Sequence, residues 1–381
     1  MGQVIEFSKY CKRGSASLYS RMEASDAVHR SATSTVSSLK RSKPARRRSD
    51  HADTHGRLVD VSVVVPTCGR PVLLNRCLDA LTRQTLDPVR YEIIVVDDAP
   101  SAATRDAVHG WAARVAARGL LIHYLPCSGP SGPAAARNKG WHAARARIIA
   151  FTDDDTTPDP NWLSVGLNAF ASGAEAVWGR VVMPVSGKPT DYEREAKELE
   201  NAEFVTANCL CRKAVLERLD GFDERFQLAW REDADFYFRL LRNGINVVHV
   251  PEALVIHPVP AAKWGVSLSQ QKKVIFDVLL YKKHPTLYRK KIRPHARVDY
   301  YVTVLALLLC LSGIIAGNAV VAAAAGSVWL GLTARFCAIR LHGTGKTTAH
   351  IAEMVVTSAL IPPLALFWRA VGMLRFKALL V

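Results

Sequence analysis

Three consecutive aspartates, Asp153, Asp154 and Asp155, close the apolar run RIIAFTDDD at residues 147–155. Adjacent carboxylates repel one another. A divalent cation relieves that repulsion, because its hard oxygen ligands are carboxylates and phosphates. A D-x-D pair at the end of a buried strand therefore points to Mg²⁺ or Mn²⁺ shared between the chain and a phosphate-bearing ligand. On these residues alone a solvated acidic loop remains open as an alternative. A second acidic cluster, in WREDADFYFRLL, places Glu232 and Asp233 where a helix starts. Acids suit a helix N-terminus electrostatically. One carboxylate on a separate element can also act as a general base toward a hydroxyl group.

The elements around these clusters alternate. Apolar, β-branched runs at 59–66, 91–99, 120–125 and 147–155 read as strands, and the stretches at 72–84, 101–118 and 131–145 read as helices. That order predicts β-α-β units and an α/β fold with a doubly wound, mostly parallel sheet. The strands are continuously apolar, as strands covered on both faces must be. Ligands of such sheets bind at the carboxyl ends of the strands, where Asp97-Asp98 and Asp153-Asp154-Asp155 both fall.

Charge is distributed unevenly. Residues 1–58 carry +7, residues 59–262 carry −4 and residues 263–381 carry +13, within a formal total of +16. A nucleic-acid partner is disfavoured, because it would draw the basic residues onto the folded domain. Residues 1–57 lack an apolar signal core and read as a disordered basic arm. Residues 58–262 read as the catalytic domain, 263–299 as a basic juxtamembrane segment and 300–381 as a membrane region. Residues 300–334 contain no charged side chain. That run predicts a helical hairpin over about 301–334 that turns near Gly317-Asn318. A second apolar stretch, about 351–369, is expected to break at Pro362-Pro363 and to lie in the interface or turn back. The ten Lys and Arg between 263 and 297 place the preceding domain on the cytoplasmic side of the cell (inner) membrane. Eight cysteines without a C-x-x-C pair read as reduced thiols.

Four stretches occur in the order VVVPTCGR (63–70), IIVVDDAP (93–100), GPAAARNKGWHAARARIIAFTDDDTTPDPNWL (132–163) and GFDERFQLAWREDADFYFRL (221–240). Together they resemble the inverting family-2 glycosyltransferases of GT-A fold, over about residues 60–257. The resemblance implies a Rossmann-like nucleotide half, an acceptor half, and sugar transfer from a nucleotide-diphospho-sugar, a UDP-sugar favoured, to a hydroxyl acceptor. It implies that Pro66, Thr67 and Arg70 hold the nucleotide, that Asp97 reads base or ribose with Asp98 sharing the task, and that Arg137 lies near the diphosphate. Asp153 and Asp154 would face the donor. Asp153 and Asp155 would be the outer members of D-x-D, with Asp155 the direct metal ligand and His257 a third. Asp233 would be the catalytic base, with Glu232 beside it.

Two departures sharpen this reading. Asp98 is followed by Ala99-Pro100 rather than a Gly-Ser turn. The Q-x-x-R-W motif of processive synthases is absent, which implies addition of one sugar or few. The acceptor is expected to be lipid-linked or membrane-proximal, because the basic segment 263–297 stands between site and bilayer. A sugar-phosphate nucleotidylyltransferase would need a Gly-rich loop after the first strand, and a catalytically inactive scaffold would not need Asp153, Asp155 and Asp233. HGTGKTT (342–348) resembles a P-loop end, but Arg340 stands where its first glycine belongs.

Overall fold

The structure, a computed structural model, describes residues 59–129 and 131–380; the expected N-terminal arm lies outside them. Residues from Val59 onward form one compact unit. Eight strands make one sheet: β1 (Val61–Thr67), β2 (Tyr91–Asp97), β3 (Leu121–Pro126), β4 (Ile148–Phe151), β5 (Thr157–Pro158), β6 (Ala176–Val182), β7 (Cys209–Arg212) and β8 (Val247–Ile256). Their order is β3-β2-β1-β4-β7-β6-β8-β5, and four of the seven pairings are parallel. The chain runs outward from β1 to β3, then returns to lay β4 on the other side of β1. That reversal opens a crevice at the carboxyl ends of β1 and β4.

Alternation along the strands divides the core. Val61, Val63 and Val65 face one side and pack with Leu74, Leu78 and Trp162. Val64, Ile94, Val96 and Phe151 face the other, against Trp141, Phe222 and Phe236. The first side is covered by α1 (Pro71–Thr82), α2 (Ala102–Val115) and α4 (Trp162–Ala171), and the second by α3 (Pro133–Ala143) and α7 (Glu232–Arg242). Helix α1 buries Leu74, Cys77, Leu78 and Leu81, one helical face. Ser101 caps α2 by accepting from Thr104 N. Helix α3 lies so close to β1 that a Cβ on Gly140 would meet Val64 Cγ1 at 2.3 Å.

Two short helices, α5 (Asp191–Lys197) and α6 (Lys213–Leu219), complete the sheet domain. The basic juxtamembrane segment folds into α8 (Val266–Gln270), α9 (Val274–Lys283) and α10 (Pro285–Lys291). Phe276, Leu279, Leu280 and Tyr288 from it share a core with Phe226 and Phe238 of the sheet domain.

The apolar C-terminal region forms α11 (Val298–Ile315), α12 (Ala319–Leu341) and α13 (Thr348–Phe376), each long and apolar enough to cross a membrane. The predicted turn stands at residues 316–318, where Asn318 caps α12 by accepting from Val321 N at 3.1 Å. The expected break at Pro362-Pro363 does not occur: α13 runs through both prolines. Contacts on either side of the prolines tie it to the rest of the structure. Arg340 donates to Thr357 and Ser358 before the prolines, and Arg369 to Tyr301 and Arg375 to Gln227 after them. Cys77, Cys127, Cys209, Cys211, Cys310 and Cys337 are free thiols as expected.

Candidate active site

Register assembles the site. Val64 pairs with Phe151 across β1 and β4, so Thr67 and Asp154, each three residues on, meet. Thr67 Oγ1 donates to Asp154 Oδ2 at 2.6 Å. Arg70 clamps the same carboxylate, with Nε on Oδ2 at 3.2 Å and Nη2 on Oδ1, while its Nη1 reaches Asp155 Oδ2 at 2.7 Å. Asp154 is thus sealed beneath its neighbours, fully buried. Burial pushes it up to about 7, Arg70 opposing and Asp155 and Asp153 adding.

The outer aspartates stay available. Thr157 of β5 pairs with Ile256 of β8, which brings His257 beside Asp155. His257 Nε2 lies 3.6 Å from Asp155 Oδ1. One donor atom from each of Asp153, Asp155 and His257 lies within 4.8 Å of the others. Two carboxylates and an imidazole form a donor set suited to Mn²⁺ or Mg²⁺, with room for ligand phosphate and water to complete the shell. Asp153 is held below the ordinary range: burial opposes this, but Arg137 outweighs it, with His257 and Arg70 helping.

Arg137, on α3, is a buried bridge rather than an open donor contact. Its Nη2 donates to Asp153 Oδ1 at 2.8 Å and its Nη1 to Glu232 Oε1 at 3.1 Å. Glu232 Oε2 is buried without a partner. Burial pushes Glu232 up to about 7, with Asp233 adding and Arg137 opposing. Asp233 is different. It is only half-buried, and its Oδ1 accepts from Ala234 N at 2.6 Å while Oδ2 has no hydrogen-bond partner among the described residues. Burial raises it above the ordinary range, Asp153 contributing and Arg137 and Arg231 opposing. Acids at the start of α7 and Arg239 and Arg242 at its end both complement the helix dipole.

Asp97 ends β2 and Asp98 follows it, and both carboxylates accept from neighbouring groups. Asp97 accepts from Ala99 N, Ser101 N and Tyr124 Oη at 3.0–3.2 Å. Asp98 accepts from Ser131 N and Gly132 N at 2.9 and 3.0 Å. Gly132 has φ +96°, and a Cβ there would lie 2.6 Å from Gln227 O, so the turn that Asp98 holds requires glycine. Pro66 ends β1 at the same crevice.

Three residues near the site escaped the sequence reading. Tyr192, on α5, is raised by burial and then by Asp155. Lys273 is lowered by burial, with Glu232 and Glu195 acting to raise it. Arg231 precedes Glu232 in a left-handed conformation, φ +76°. Tyr192 and Lys273 belong to no motif, and Arg231 lies within the 221–240 stretch without a role assigned to it. Only the three-dimensional packing of α5 and of the segment before α9 brings the first two to the crevice.

Residues 62–226 match the family described as "Glycosyl transferase family 2", and residues 148–371 the one described as "Glycosyl transferase family group 2". Among curated proteins, the "Glycosyltransferase AglE" of Haloferax volcanii is 27% identical over 224 residues, which cover 56% of this chain and 71% of that one. The "Pre-mycofactocin glycosyltransferase" of Mycobacterium tuberculosis is 32% identical over 215 residues, covering 52% of this chain and 42% of that one. The "Validoxylamine A glucosyltransferase" of Streptomyces hygroscopicus subsp. limoneus is 25% identical over 250 residues, covering 56% and 52%. The chain spans about half the length of the last two. The solved mannosyltransferase PcManGT from Pyrobaculum calidifontis superposes with a TM-score of 0.56 at 19% identity, covering 82% of this chain and 87% of that one.

Proposed function

We propose, from the premise that this chain belongs to the family-2 glycosyltransferases and has their GT-A fold, that it transfers a sugar from a nucleotide-diphospho-sugar to an acceptor hydroxyl with inversion. The observation that carries the proposal is the convergence of Asp153, Asp155 and His257 at the crevice between β1 and β4. They would hold a divalent cation, Mg²⁺ or Mn²⁺, which neutralises the charge of a leaving diphosphate as a Lewis acid. PcManGT, of like fold, was solved with GDP-Man and Mn²⁺, which supports a nucleotide-sugar donor; a UDP-sugar is our first expectation and a GDP-sugar the alternative.

Inversion requires one in-line displacement, with the acceptor hydroxyl losing its proton as it attacks. Asp233 is the base in this reading, because its Oδ2 has no hydrogen-bond partner among the described residues. Glu232 is turned into Arg137 and acts by fixing that arginine against Asp153. Asp154 acts likewise through Arg70. Asp97 and Asp98 shape the nucleotide loops. The experiment is thermal unfolding of the purified chain with a panel of UDP- and GDP-sugars, with Mn²⁺ or with EDTA. At least one sugar nucleotide stabilises the protein only with Mn²⁺. A panel without any metal-dependent shift contradicts the proposal.

Helices α11 and α12 expose leucine, isoleucine and valine over most of their length, Ile315 at 86% and Val320 at 78%. At 18 and 23 residues they extend about 27 and 35 Å; α12 exceeds a hydrocarbon core of about 30 Å, and local thinning of the bilayer absorbs the small shortfall of α11. Both open ends meet the sheet domain. Tyr300 and Thr303 of α11, Ile339 and Arg340 of α12, and Asp191 and Arg194 of α5 line one cavity of about 450 Å³. In this reading the hairpin crosses twice and returns to the catalytic side, and the basic residues favour the cytoplasm for that side. Helix α13 lies along the domain: Glu353 accepts from Gly265 N, and a Cβ on Gly372 would lie 3.0 Å from Ile275 O. The cavity has apolar walls at Leu332, Phe336 and Ile361 and carries Arg335, which makes no ion pair among the described residues. Asp191, Glu195, Glu198 and Asp299 line it too and balance its arginines, so the lipid-linked acceptor is read from the basic residues of 263–297 between site and bilayer. Single cysteines at Asn318 and Lys346, in a background without native cysteines, test the topology with an impermeant maleimide on intact cells. Cysteine 318 is labelled and cysteine 346 is not; the reverse pattern overturns the hairpin.

A further inference from the structure

Arg231 stands directly before the acidic start of α7, with φ +76° and ψ −6°. A side chain with a Cβ rarely adopts that conformation unaided, and Arg231 is one of only four described non-glycine residues that do. What holds it comes from α9. Asp277, 3% exposed, accepts from Arg231 Nε at 2.6 Å and from Trp230 Nε1 at 3.2 Å through the same oxygen, Oδ1. The Arg231 guanidinium also lies over the Trp230 ring, 4.4 Å from its centroid, and Lys273 Nζ lies 5.2 Å from it. Asp277 is the lone acid between Lys263 and Arg297, and no part of the ordered motif set accounts for it.

We propose that Asp277 is a positioning residue for sugar transfer, gripping Trp230 and Arg231 so that the left-handed turn aims Asp233 into the crevice. The proposal rests on the reading of Asp233 as the base. The turn sets the first hydrogen bond of α7, from Asp235 N to Arg231 O at 2.9 Å. It also sends Glu232 inward to Arg137 and leaves Asp233 Oδ2 without a hydrogen-bond partner among the described residues. Relaxation of residue 231 to a negative φ would redirect the chain as it enters α7 and move both carboxylates. The metal trio and Arg70 lie on strand ends and loops outside the tether, which reaches Asp153 only through Glu232 and Arg137, so nucleotide affinity changes far less than kcat.

The test uses the full chain in detergent with the variants Asp277→Asn, Arg231→Gly and the two combined. Turnover of UDP-glucose and GDP-mannose with Mn²⁺ gives kcat, calorimetry gives UDP and GDP affinity, and hydrogen exchange gives protection of the Asp235 amide. Asp277→Asn lowers kcat by about 10- to 100-fold, the scale of a misplaced catalytic group. It lowers amide protection and leaves nucleotide affinity within about twofold. Glycine adopts the left-handed turn without a tether. Adding Asp277→Asn to Arg231→Gly therefore changes kcat and protection by less than about twofold. An undiminished penalty in the glycine background overturns the proposal, as does a loss of nucleotide affinity that matches the loss of kcat. Where neither sugar is turned over, amide protection in the single and double variants decides alone. An Asp233→Asn enzyme with unchanged kcat would refute the base instead, and the exchange data would still judge the tether.

Discussion

The two acidic clusters of the crevice share a design. In each, one carboxylate is buried, clamped by an arginine and pushed up to about 7: Asp154 under Arg70, and Glu232 against Arg137. In each, the neighbour is left accessible. The difference lies in what is left over. At the strand ends two carboxylates and His257 converge within 4.8 Å, which suits a cation. At the start of α7 one oxygen of Asp233 remains, which suits a proton. In this reading the buried member of each cluster positions an arginine: Arg70 orders Asp155 beside Asp154, and Arg137 orders Asp153 across from Glu232.

The widest test of this division is Asp233→Asn. The amide cannot take up the acceptor's proton, so transfer falls by roughly 10²–10⁴-fold while Mn²⁺-dependent nucleotide affinity is unchanged in calorimetry. Transfer near the wild-type rate would make Asp233 a helix-start acid and leave the clusters without distinct roles. Next comes Asp154→Ala, which strands the Arg70 guanidinium and the Thr67 hydroxyl. Loss of one partner from a fully buried pair costs about 3–5 kcal/mol; Arg70 is 41% exposed, so the expected loss in denaturant unfolding is about 1–2 kcal/mol after solvent screening. A variant as stable as the wild type would show that Asp154 is not the clamp.

The smallest effect is in pH dependence. Glu232 binds its proton more tightly folded than unfolded, since burial lifts it to about 7. Its contribution to stability is greatest below the unfolded value of about 4.3 and is lost as pH climbs through about 7. Glu232→Gln should flatten unfolding free energy between those limits. Glu92 has the opposite sign. Burial opposes its ionisation, but His123, Ser62 and Arg145 hold it down to about 2. The stability it contributes is present above the unfolded value and is lost as pH falls toward 2. Glu92→Gln should therefore remove stability at neutral pH and soften the acid limb.

Much of this was legible before the fold was known. Runs such as VSVVVPT and YEIIVVD are buried at every position, so periodicity and length sufficed to place β1 and β2. The ordered motifs named Asp153, Asp155 and Asp233, the resemblance added His257, and the fold brings Asp153, Asp155 and His257 within 4.8 Å of one another. What the sequence hid depends on distant partners. Nothing in FTDDDT says that Thr67 and Arg70 seal the middle aspartate, since the β1–β4 register decides it. Nothing in MVVTSALIPPLALFW says that α13 stays whole, tied to Arg340, Tyr301 and Gln227. Asp277 looked like a stray acid in a basic stretch until α9 carried it to Arg231.

The central claim is that Asp153, Asp155 and His257 hold the cation through which a nucleotide is bound. Calorimetric titration of UDP and of GDP, with and without Mn²⁺, into the wild type and Asp155→Ala tests it most directly. The variant should fold as well as the wild type or slightly better, because one charge has left a repelling cluster. The account predicts nucleotide binding that requires Mn²⁺ in the wild type and is lost in the variant. Metal-dependent affinity that survives Asp155→Ala would contradict it.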